Sequence, residues 1–402
     1  MRIKQIQEAV DILTGIDPCL ETEQVRLEDA YGRVAAESLE ARIPIPPFRR
    51  SAFDGYALRS EDTVNASEDA PVVLEILETI AAGMKGRFCV TDGKAVKVMT
   101  GAAVPEGADT VIKYEDTCFT ERTVSIGRQL KQENIIAVGE DVEKGHMLVP
   151  EGKALGPSEI AMLAGQGMTK VSVYKKPKTA IISSGSELLY AGQEQEFGKV
   201  YNTNPYLLQG YMIKNGIVPV DYGIIPDDKK DLGQMIEQAL AECDMVITTG
   251  GVSKGDFDFI PDVLRQMEAA ILFHWIDMKP GGAMIAAQKN GKVILGLSGS
   301  PGAAAVGLLR VGLPYMRKLC GLKNVELKKI KAVLKEPFLK KSKGTRILRG
   351  VLEIDTGTVV FKAIDNQRNG SVSSMLDCNA LGEIPPGSGA LREGTEITAY
   401  LI

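Results

Sequence analysis

The chain has 402 residues, which at ~150 residues per domain predicts about two to four domains. Hydrophobic residues make up 44% and charged residues 25%, as in soluble globular proteins, and no apolar run is long enough to span a bilayer. The net charge of −5 argues against general binding of nucleic acid, because that normally needs a basic surface.

The cysteines and histidines limit the chemistry that this chain can carry out. The six cysteines are scattered, and the N-terminus lacks the apolar core of a signal peptide, so we expect reduced thiols in a cytoplasmic protein. His146 and His274, the two histidines, are far apart, which argues against a histidine-rich metal site and a His-based catalytic triad. A bound metal would therefore be held mainly by carboxylates, and this favours magnesium.

The N-terminal segment is predicted to contain two helices. Ile3, Ile6, Val10 and Leu13 recur at helical spacing, which predicts an amphipathic helix at the start of the chain. A second helix is predicted from about residue 23 to residue 36.

The next part of the chain is predicted to be a mostly β insert. Prolines in residues 43–57 exclude a helix there, and Asp54, which precedes a glycine, is by itself typical of a simple turn. From residue 71 to about residue 138, short β-branched runs are broken by glycine and charge, which predicts strands. This insert contains a long loop at residues 99–110, of a length that is often functional, and an acidic turn follows at residues 139–142.

Strands and helices alternate from about residue 177 to residue 320, which predicts an α/β domain with a largely parallel sheet. In such sheets, ligands bind beyond the carboxyl ends of the strands. Glycine-rich or acidic loops are predicted at these ends at residues 185–187, 250–258, 279–282 and 299–301. We therefore predict a binding site at this edge of the sheet.

Residues 245–258 carry the strongest single signal in this domain. Residues 245–248 are a short apolar run, predicted to be a strand buried on both faces, and Gly250 and Gly251 end it. A hydroxyl, a cation and two carboxylates follow, at Ser253, Lys254, Asp256 and Asp258. This combination suits a phosphate-bearing ligand that also needs a metal, and the alternative is a strand that ends in an ordinary turn.

The last part of the chain, from about residue 323, is again β-like, with short runs such as residues 330–334 and 358–361. It is locally basic, with Lys328, Lys329, Lys331, Lys340, Lys341, Lys343, Arg346 and Arg349. A solvated strand face is the favoured interpretation of these charges, and a binding patch is the alternative.

Several motifs occur in a characteristic order along the chain. They are Pro-Phe-Arg-Arg-Ser-Ala-Phe-Asp-Gly-Tyr-Ala at residues 47–57, the run of residues 100–110, Gly-Glu-Asp-Val at residues 139–142, Thr-Thr-Gly-Gly-Val-Ser at residues 248–253 with Gly255 and Asp258, and Lys-Pro-Gly at residues 279–281. Over nearly the whole chain, this pattern resembles the molybdopterin molybdenumtransferase family, which includes MoeA and the E domain of gephyrin.

The resemblance implies a multidomain fold of α/β and β parts. It predicts a central α/β molybdopterin-binding domain with a parallel-rich sheet, a β-rich insert, a segment-swapped linker domain and a C-terminal β-barrel. The implied boundaries are residues 1–50 with 140–176 for the N-terminal helices and elongated linker domain, 51–139 for the insert, 177–322 for the α/β domain and 323–402 for the barrel. An elongated homodimer is also implied, with the active site in the dimer cleft.

The resemblance further implies an enzyme of molybdenum cofactor biosynthesis. The family takes adenylated molybdopterin and molybdate, inserts molybdenum into the dithiolene and releases AMP, with Mg²⁺. These substrates are polyanionic, so carboxylates alone would repel them, whereas Mg²⁺ joins carboxylate oxygens to phosphoryl oxygens. The implied partners are molybdopterin adenylyltransferase and the molybdoenzymes that receive the cofactor, with no nucleic acid and no membrane.

The candidate site residues fall into three groups. The catalytic candidates are Asp54, Thr100, Asp141, Glu187 and Asp258, of which the first three are assigned by the resemblance alone. The metal candidates, on loops at the predicted sheet edge, are Glu187, Asp227, Asp228 and Asp258. The cofactor-binding candidates are Gly250, Gly251, Ser253, Lys279, Pro280, Gly281, Gly299, Pro301 and Arg349. The weaker candidates are Lys254, Asp256 and Arg349.

The chain departs from the family pattern mainly on binding loops. Phe53 replaces a methionine, and residues 184–187 keep one acid of two. Gly282 replaces the second lysine of Lys-Pro-Gly-Lys-Pro, residues 298–301 read Ser-Gly-Ser-Pro instead of Pro-Gly-Asn-Pro, and a Gln-Gly-Ser stretch is altered at residues 367–371. An active molybdenum or tungsten insertase is the first hypothesis. The alternative is a non-catalytic relative that carries or senses the cofactor, or acts as a scaffold.

Overall fold

The computed structural model describes residues 2–253 and 259–402, and the chain folds into two compact units. The larger unit consists of Met1–Glu37, Glu151–Gly156 and Lys170–Ile402. The smaller unit consists of Ser38–Pro150 and Pro157–Thr169. Both units are therefore assembled from segments that are distant in sequence. Within the described ranges, no helix has the length and apolar character needed to cross a membrane.

The larger unit begins with one helix, and a strand stands where the second helix was predicted. Helix α1 (Ile6–Thr14) buries its apolar face, which confirms the first prediction. The prediction for residues 23–36 is wrong, because β1 (Thr22–Arg26) pairs antiparallel with Lys170–Tyr174 and a 3₁₀ turn follows at Leu27–Asp29. Pairing with a strand far away in sequence overrides the local pattern here.

The smaller unit is built around a six-stranded sheet, which confirms the predicted β-rich insert. Its elements are β2 (Leu39–Glu40), β3 (Arg50–Ser51), β4 (Gly55–Leu58), β5 (Val72–Ile80), β6 (Lys94–Val98), β7 (Thr110–Lys113), β8 (Cys118–Phe119), β9 (Thr123–Ile126), β10 (Ile135–Ile136), β11 (Met147–Val149) and α2 (Pro157–Gly165). The sheet order is β7-β4-β6-β5-β9-β8. Successive residues of β4 enter different cores, with Tyr56 and Leu58 on one face and Ala57 on the other.

A second six-stranded sheet forms the centre of the larger unit. The elements of this part are β12 (Lys170–Tyr174), β13 (Lys178–Ser184), β14 (Leu188–Leu189), β15 (Val200–Tyr201), α3 (Asn204–Lys214), β16 (Val218–Ile225), α4 (Lys229–Glu242), β17 (Met245–Thr249), α5 (Ile260–Gln266), β18 (Ala270–His274), β19 (Met278–Lys279), β20 (Ile285–Lys289), β21 (Lys292–Leu297), α6 (Pro301–Gly307) and α7 (Leu313–Leu319). A π-helical turn, Leu308–Gly312, joins α6 to α7. The sheet order is β16-β13-β17-β21-β20-β18.

Parallel pairing dominates this sheet, as the alternation of strands and helices predicts. Strands β16, β13, β17 and β21 are parallel, and β20 and β18 extend the sheet as antiparallel strands. Every residue of β17 is buried, which confirms the predicted central strand. Met245 and Ile247 join the core under α1, α3 and α6, whereas Val246 joins the core under α4 and α5.

The C-terminal part closes into a β-barrel, which confirms that prediction. Its strands are β22 (Lys329–Leu334), β23 (Thr345–Asp355), β24 (Thr358–Ala363), β25 (Ala380–Ile384) and β26 (Glu396–Leu401). They pair in a closed ring in the order β23-β24-β22-β26-β25, and β25 pairs again with β23. Strand β19 adds to the outside of this ring by pairing in parallel with the first residues of β23.

Asp228, one of the metal candidates, occupies the N-cap position of α4. Its Oδ1 atom accepts hydrogen bonds from the backbone N–H groups of Lys230 (2.8 Å) and Asp231 (3.0 Å). These groups have no partner inside the helix, so the carboxylate satisfies donors that would otherwise depend on water. The structure therefore gives Asp228 a capping role at the start of α4.

We expect Asp228→Ala to lower the free energy of unfolding by about 1 kcal/mol, because the two capping bonds are lost. Asp228→Asn keeps an acceptor at the same position and is expected to retain most of that stability. Urea denaturation of the two variants beside the wild type measures the difference. Equal destabilisation by both substitutions would contradict the capping role, since it would mean that the negative charge matters more than the acceptor.

Candidate functional site

The carboxyl ends of the four parallel strands meet at a cleft of about 490 Å³, called the acidic cleft here. This is the edge at which a parallel sheet binds its ligands. Gly250, Gly299 and Pro301, all predicted binding residues, line the cleft. Among the described lining residues, the charged ones are Glu187 and Asp227. The cleft therefore presents carboxylates beside glycine-rich backbone.

Gly250 brings three of the strand ends together. Its backbone N–H donates to the carbonyl of Leu297, at the end of β21, over 3.1 Å. Its φ is +95°, and a Cβ atom at this position would lie 2.5 Å from the carbonyl oxygen of Ser184, at the end of β13. A side chain at this position would clash with the Ser184 carbonyl, and the positive φ would also be strained for any residue other than glycine. Glycine is therefore required for this close approach.

Asp227 is fixed in the acidic cleft by hydrogen bonds from the neighbouring loop. Ser184 Oγ donates to its Oδ1 atom over 2.8 Å. The backbone N–H and Oγ of Ser186 donate to its Oδ2 atom over 3.1 and 2.9 Å. Ser186 stands where the family pattern has an acid, so this chain places a donor beside Asp227 instead of a second negative charge. The altered loop therefore supplies hydrogen-bond donors to the Asp227 carboxylate.

Glu187 is the second carboxylate of the acidic cleft. It is exposed, and its side chain lies over Gly185, where a Cβ atom would be 2.7 Å from Glu187 Oε2. Asp258, the third predicted carboxylate, lies outside the described residues, as do Lys254 and Asp256. In the part of the chain that the structure describes, no group of three or more His, Cys, Asp and Glu side chains is arranged to hold a metal.

A larger cleft of about 890 Å³ adjoins the acidic cleft and is called the basic cleft here. The two clefts share lining residues 251 and 298–300. Predicted binding residues Ser253, Lys279, Pro280 and Gly281 line the basic cleft. Its other charged lining residues, among those that the structure describes, are Asp277, Lys341, Lys343 and Arg346. Four described cations therefore face one described carboxylate, in a chain whose net charge is negative.

The loop of residues 279–282 lies between β18 and β20, at the predicted edge of the sheet. Because β18 is antiparallel to β20 and β20 is antiparallel to β21, β18 runs in the same direction as the parallel strands, and its carboxyl end lies at the same edge. Strand β19 pairs with the barrel strand β23, which places Met278 opposite Thr345 and Lys279 opposite Arg346. The predicted placement of this loop at the carboxyl edge of the sheet is therefore confirmed, and the pairing of β19 with the barrel is an additional contact that the sequence did not predict.

Gly282 lies in a tight turn of this loop. A Cβ atom at Gly282 would lie 2.3 Å from the carbonyl oxygen of Met278 and 2.5 Å from that of Ile276. The carbonyl of Gly282 accepts hydrogen bonds from the backbone N–H groups of Ile276 and Met284. The backbone therefore has no room for the lysine that the family pattern has at this position.

Arg349, a predicted cofactor-binding residue, lies in the interior with no exposed surface. Its Nη2 atom donates to the carbonyl oxygens of Arg368 (3.3 Å) and Asn366 (3.5 Å), and burial lowers the pKa of its guanidinium. Arg349 is absent from the described lining of both clefts, whereas Asn369 and Gly370 of the loop it supports are present. The structure thus favours a supporting role for Arg349 over direct contact with a ligand.

In the smaller unit, the structure brings two of the three predicted residues together. The carboxylate of Asp54 accepts hydrogen bonds from Thr100, from the backbone N–H over 2.6 Å and from Oγ1 over 2.8 Å. These two bonds lower the pKa of Asp54 and keep it ionised. Asp141 is also exposed, and its backbone N–H donates to the Ile45 carbonyl. Phe53, at a position that differs from the family, lies under the Lys113 ammonium, 4.1 Å from the ring centroid.

Sequence reasoning did not assign Lys341, Lys343 or Asp277 to the site. The available signal was the basic run near residue 340, for which a solvated strand face was the favoured interpretation. Charge alone does not reveal which side of a strand or loop a residue lies on. The pairing of β19 with β23, which brings this run to Lys279, connects residues that are distant in sequence.

We expect Gly282→Ala to lower the free energy of unfolding by about 1–3 kcal/mol, because the added methyl group meets two carbonyl oxygens that cannot move independently of the turn. Gly210→Ala in α3 is the matched control, since a Cβ atom there would meet nothing within 4 Å. Denaturant unfolding of both variants provides the comparison. A Gly282→Ala protein as stable as the control would show that the turn relaxes freely.

Family models match most of the chain. The MoeA N-terminal region (domain I and II) matches residues 4–167, a probable molybdopterin binding domain matches residues 180–318, and the MoeA C-terminal region (domain IV) matches residues 331–402. The last of these covers all but the first two residues of the closed barrel, and the second covers the carboxyl ends of the strands that form the acidic cleft.

Individual proteins are similar over almost their whole length. The molybdopterin molybdenumtransferase of Staphylococcus epidermidis is 34% identical over 378 residues, which are 94% of this chain and 90% of that protein. The enzyme of the same name from Staphylococcus aureus is 33% identical over 400 residues, 98% of this chain and 95% of that protein. A crystal structure of the molybdopterin biosynthesis MoeA protein from Pyrococcus horikoshii OT3 matches with a TM-score of 0.86 and 33% identity, over 100% of both chains. The chain therefore belongs to the molybdopterin molybdenumtransferase family of enzymes.

Proposed function

We propose that this chain inserts molybdenum from molybdate into adenylated molybdopterin and releases AMP, as a step of molybdenum cofactor biosynthesis in the cytoplasm. The single observation that carries this proposal is the pair of adjoining clefts of opposite charge at the edge of the parallel sheet. One substrate is a phosphoanhydride that travels with a metal, and the other is a small free oxyanion. Two linked sites of opposite charge suit such a pair of substrates.

The acidic cleft is the proposed site of the phosphoanhydride. Glu187 and Asp227 supply hard carboxylate oxygens there, which fits Mg²⁺, an ion that usually binds through one or two carboxylates and substrate phosphates. Asp258 is proposed to join them. Mg²⁺ would neutralise charge that develops on the phosphoryl oxygens as AMP leaves. The hydrogen bonds from Ser184 and Ser186 would keep the Asp227 carboxylate oriented for this role.

The glycine-rich loops are proposed to hold the pterin and its phosphate. Gly250 and Gly251 carry no side chains, so that an anion would approach the backbone closely, and Ser253 adds a hydroxyl donor. Lys279 would supply a fixed positive charge in the adjoining basic cleft. Gly299 and Pro301 would close the other side, at the start of α6.

A non-catalytic relative that carries or senses the cofactor, or acts as a scaffold, remains the second candidate function. The changes at Gly282 and at residues 298–301 fall on lining loops of the two clefts, which favours altered binding. The carboxylates proposed for the chemistry are retained, and Ser186 supports one of them. Release of AMP separates the two candidates, because a carrier would bind the adenylated substrate without turning it over.

Purified protein should release AMP from adenylated molybdopterin when molybdate and Mg²⁺ are present, and EDTA should abolish the release. Lys279→Ala and Asp227→Asn are each expected to slow it at least tenfold, since a charge-assisted contact contributes about 1.5–3 kcal/mol. Asp258→Ala tests the carboxylate that the structure does not describe. Asp231→Asn, which removes an exposed charge from α4, is the control and should leave the rate unchanged. Tight binding of substrate without AMP release would support the carrier instead.

We also propose a homodimer in which Asp54, Thr100 and Asp141 of one subunit act with the clefts of the other, with molybdopterin adenylyltransferase and cofactor-receiving molybdoenzymes as further partners. A mixture of Asp54→Asn and Lys279→Ala subunits tests the shared site. Each variant alone should be at least tenfold slower than the wild type, whereas a mixed dimer has one intact site and should recover activity after subunit exchange. No recovery in dimers shown to have exchanged, or sedimentation as a monomer, would refute the shared site.

A further inference from the structure

We propose that the loop of residues 340–346, called the basic loop here, binds the molybdate oxyanion through Lys341 and Lys343, and so replaces the lysine that this chain lacks at position 282. The inference rests on the proposed function and assigns residues to its second substrate. It departs from the interpretation that the sequence favoured, in which these charges belong to a solvated strand face.

The first step of the argument is that the missing cation is excluded by the backbone. A Cβ atom at Gly282 would lie 2.3 and 2.5 Å from two carbonyl oxygens of its own turn. No lysine fits there unless the turn opens. An oxyanion in the basic cleft must therefore obtain its second source of positive charge from another part of the chain.

The second step is the position of the basic loop relative to Lys279. The parallel register of β19 and β23 sets Lys279 directly opposite Arg346, which is the last residue of the basic loop. Two positive charges held side by side repel each other. Arg346 Nε is also buried and has no hydrogen-bond partner among the described residues, while its guanidinium lies 5.5 Å from the Phe338 ring centroid. An anion between Lys279 and Arg346 would offset the repulsion between the two cations.

The third step is that the lysines of the basic loop are available to a ligand. Lys341 and Lys343 are exposed and line the basic cleft, and neither forms a hydrogen bond or ion pair with any residue in the described part of the chain. The carboxylate of the cleft, Asp277, accepts a hydrogen bond from Gln5 Nε2 over 3.2 Å. Asp277 also lies against Gly344, where a Cβ atom would be 2.0 Å from its Oδ1 atom. Asp277 thus packs against the loop that carries both lysines.

The shared chemistry of possible ligands is a tetrahedral dianion, which includes molybdate and the phosphate of the adenylated substrate. The charges of the two clefts distinguish between these sources. A phosphoanhydride that travels with Mg²⁺ is matched by the carboxylates Glu187 and Asp227 of the acidic cleft. Free molybdate brings no metal of its own, so it needs protein cations, and these line the basic cleft. Shared lining residues 298–300 would keep the two substrates adjacent.

The test is calorimetric titration of the full-length chain with molybdate, and in parallel with tungstate and with AMP, at fixed ionic strength. Lys341→Ala and Lys343→Ala are each expected to weaken molybdate binding about tenfold or more. Arginine at either position should restore most of the affinity. Lys340→Ala is the matched control, because Lys340 lies on the same loop but lines a different cleft, and its affinity should equal that of the wild type. Thermal unfolding establishes that every variant is folded.

Unchanged molybdate affinity in both lysine variants, or no binding by the wild type up to millimolar concentrations with and without the pterin substrate, would overturn the inference. Binding of AMP that depends on Lys341 and Lys343, while molybdate binding does not, would assign the loop to the phosphate and also overturn it. Loop-dependent molybdate binding without AMP release would leave the inference standing and refute the proposed function. The titration therefore tests the molybdate-binding role of the basic loop, and the release assay tests the proposed function, so that either can be refuted without the other.

Discussion

The close approach of Gly250 to two neighbouring strand ends is the constraint on which the site depends. One hydrogen bond joins it to Leu297, and the absence of a side chain lets it lie against the carbonyl of Ser184. The β13, β17 and β21 ends therefore converge, and the loops that follow them share a single edge. A central strand that is buried along its whole length provides the base for this convergence. Glu187 and Asp227 owe their common cleft to it.

Positive and negative side chains are separated into two adjoining clefts of the larger unit, which the net charge of the chain does not reveal. The chain is acidic as a whole, yet among the described lining residues one cleft has four cations and a single carboxylate, and the cleft beside it has two carboxylates. A uniformly negative site would repel oxyanions, and a uniformly positive one would compete with a divalent metal for them. Placing the two signs in adjoining spaces avoids both problems. Ser186 contributes to this separation because it donates to Asp227 and carries no charge.

Local patterns predicted the elements that depend on local chemistry. The alternation of strands and helices, the buried run at β17, the glycines after it and the β character of the insert and of the C-terminal part were all readable from the sequence. The helix predicted at residues 23–36 was wrong because β1 pairs with a strand far away in the chain. The pairing of β19 with the barrel was not predicted for the same reason. Strand β20, with its Ile-Ala-Ala-Gln-Lys sequence, has few β-branched residues and gave little local signal.

The prediction of the site succeeded where local sequence was sufficient and failed where distant contacts decide the position of a residue. Residues on loops after parallel strands were identified because a general rule places ligands there. Lys341 and Lys343 were not, because their relation to the cleft depends on how the barrel joins the sheet. Asp228 and Arg349 show the converse, since residue types that suit a site serve as a helix cap and a loop support instead.

The contact between the barrel and the α/β sheet also makes it costly to exchange the barrel for that of another protein. The core on one face of the sheet continues into the barrel through Ile347 and Leu381. A recombination event that grafted a foreign barrel after α7 would therefore have to match an apolar surface and an electrostatic one at once.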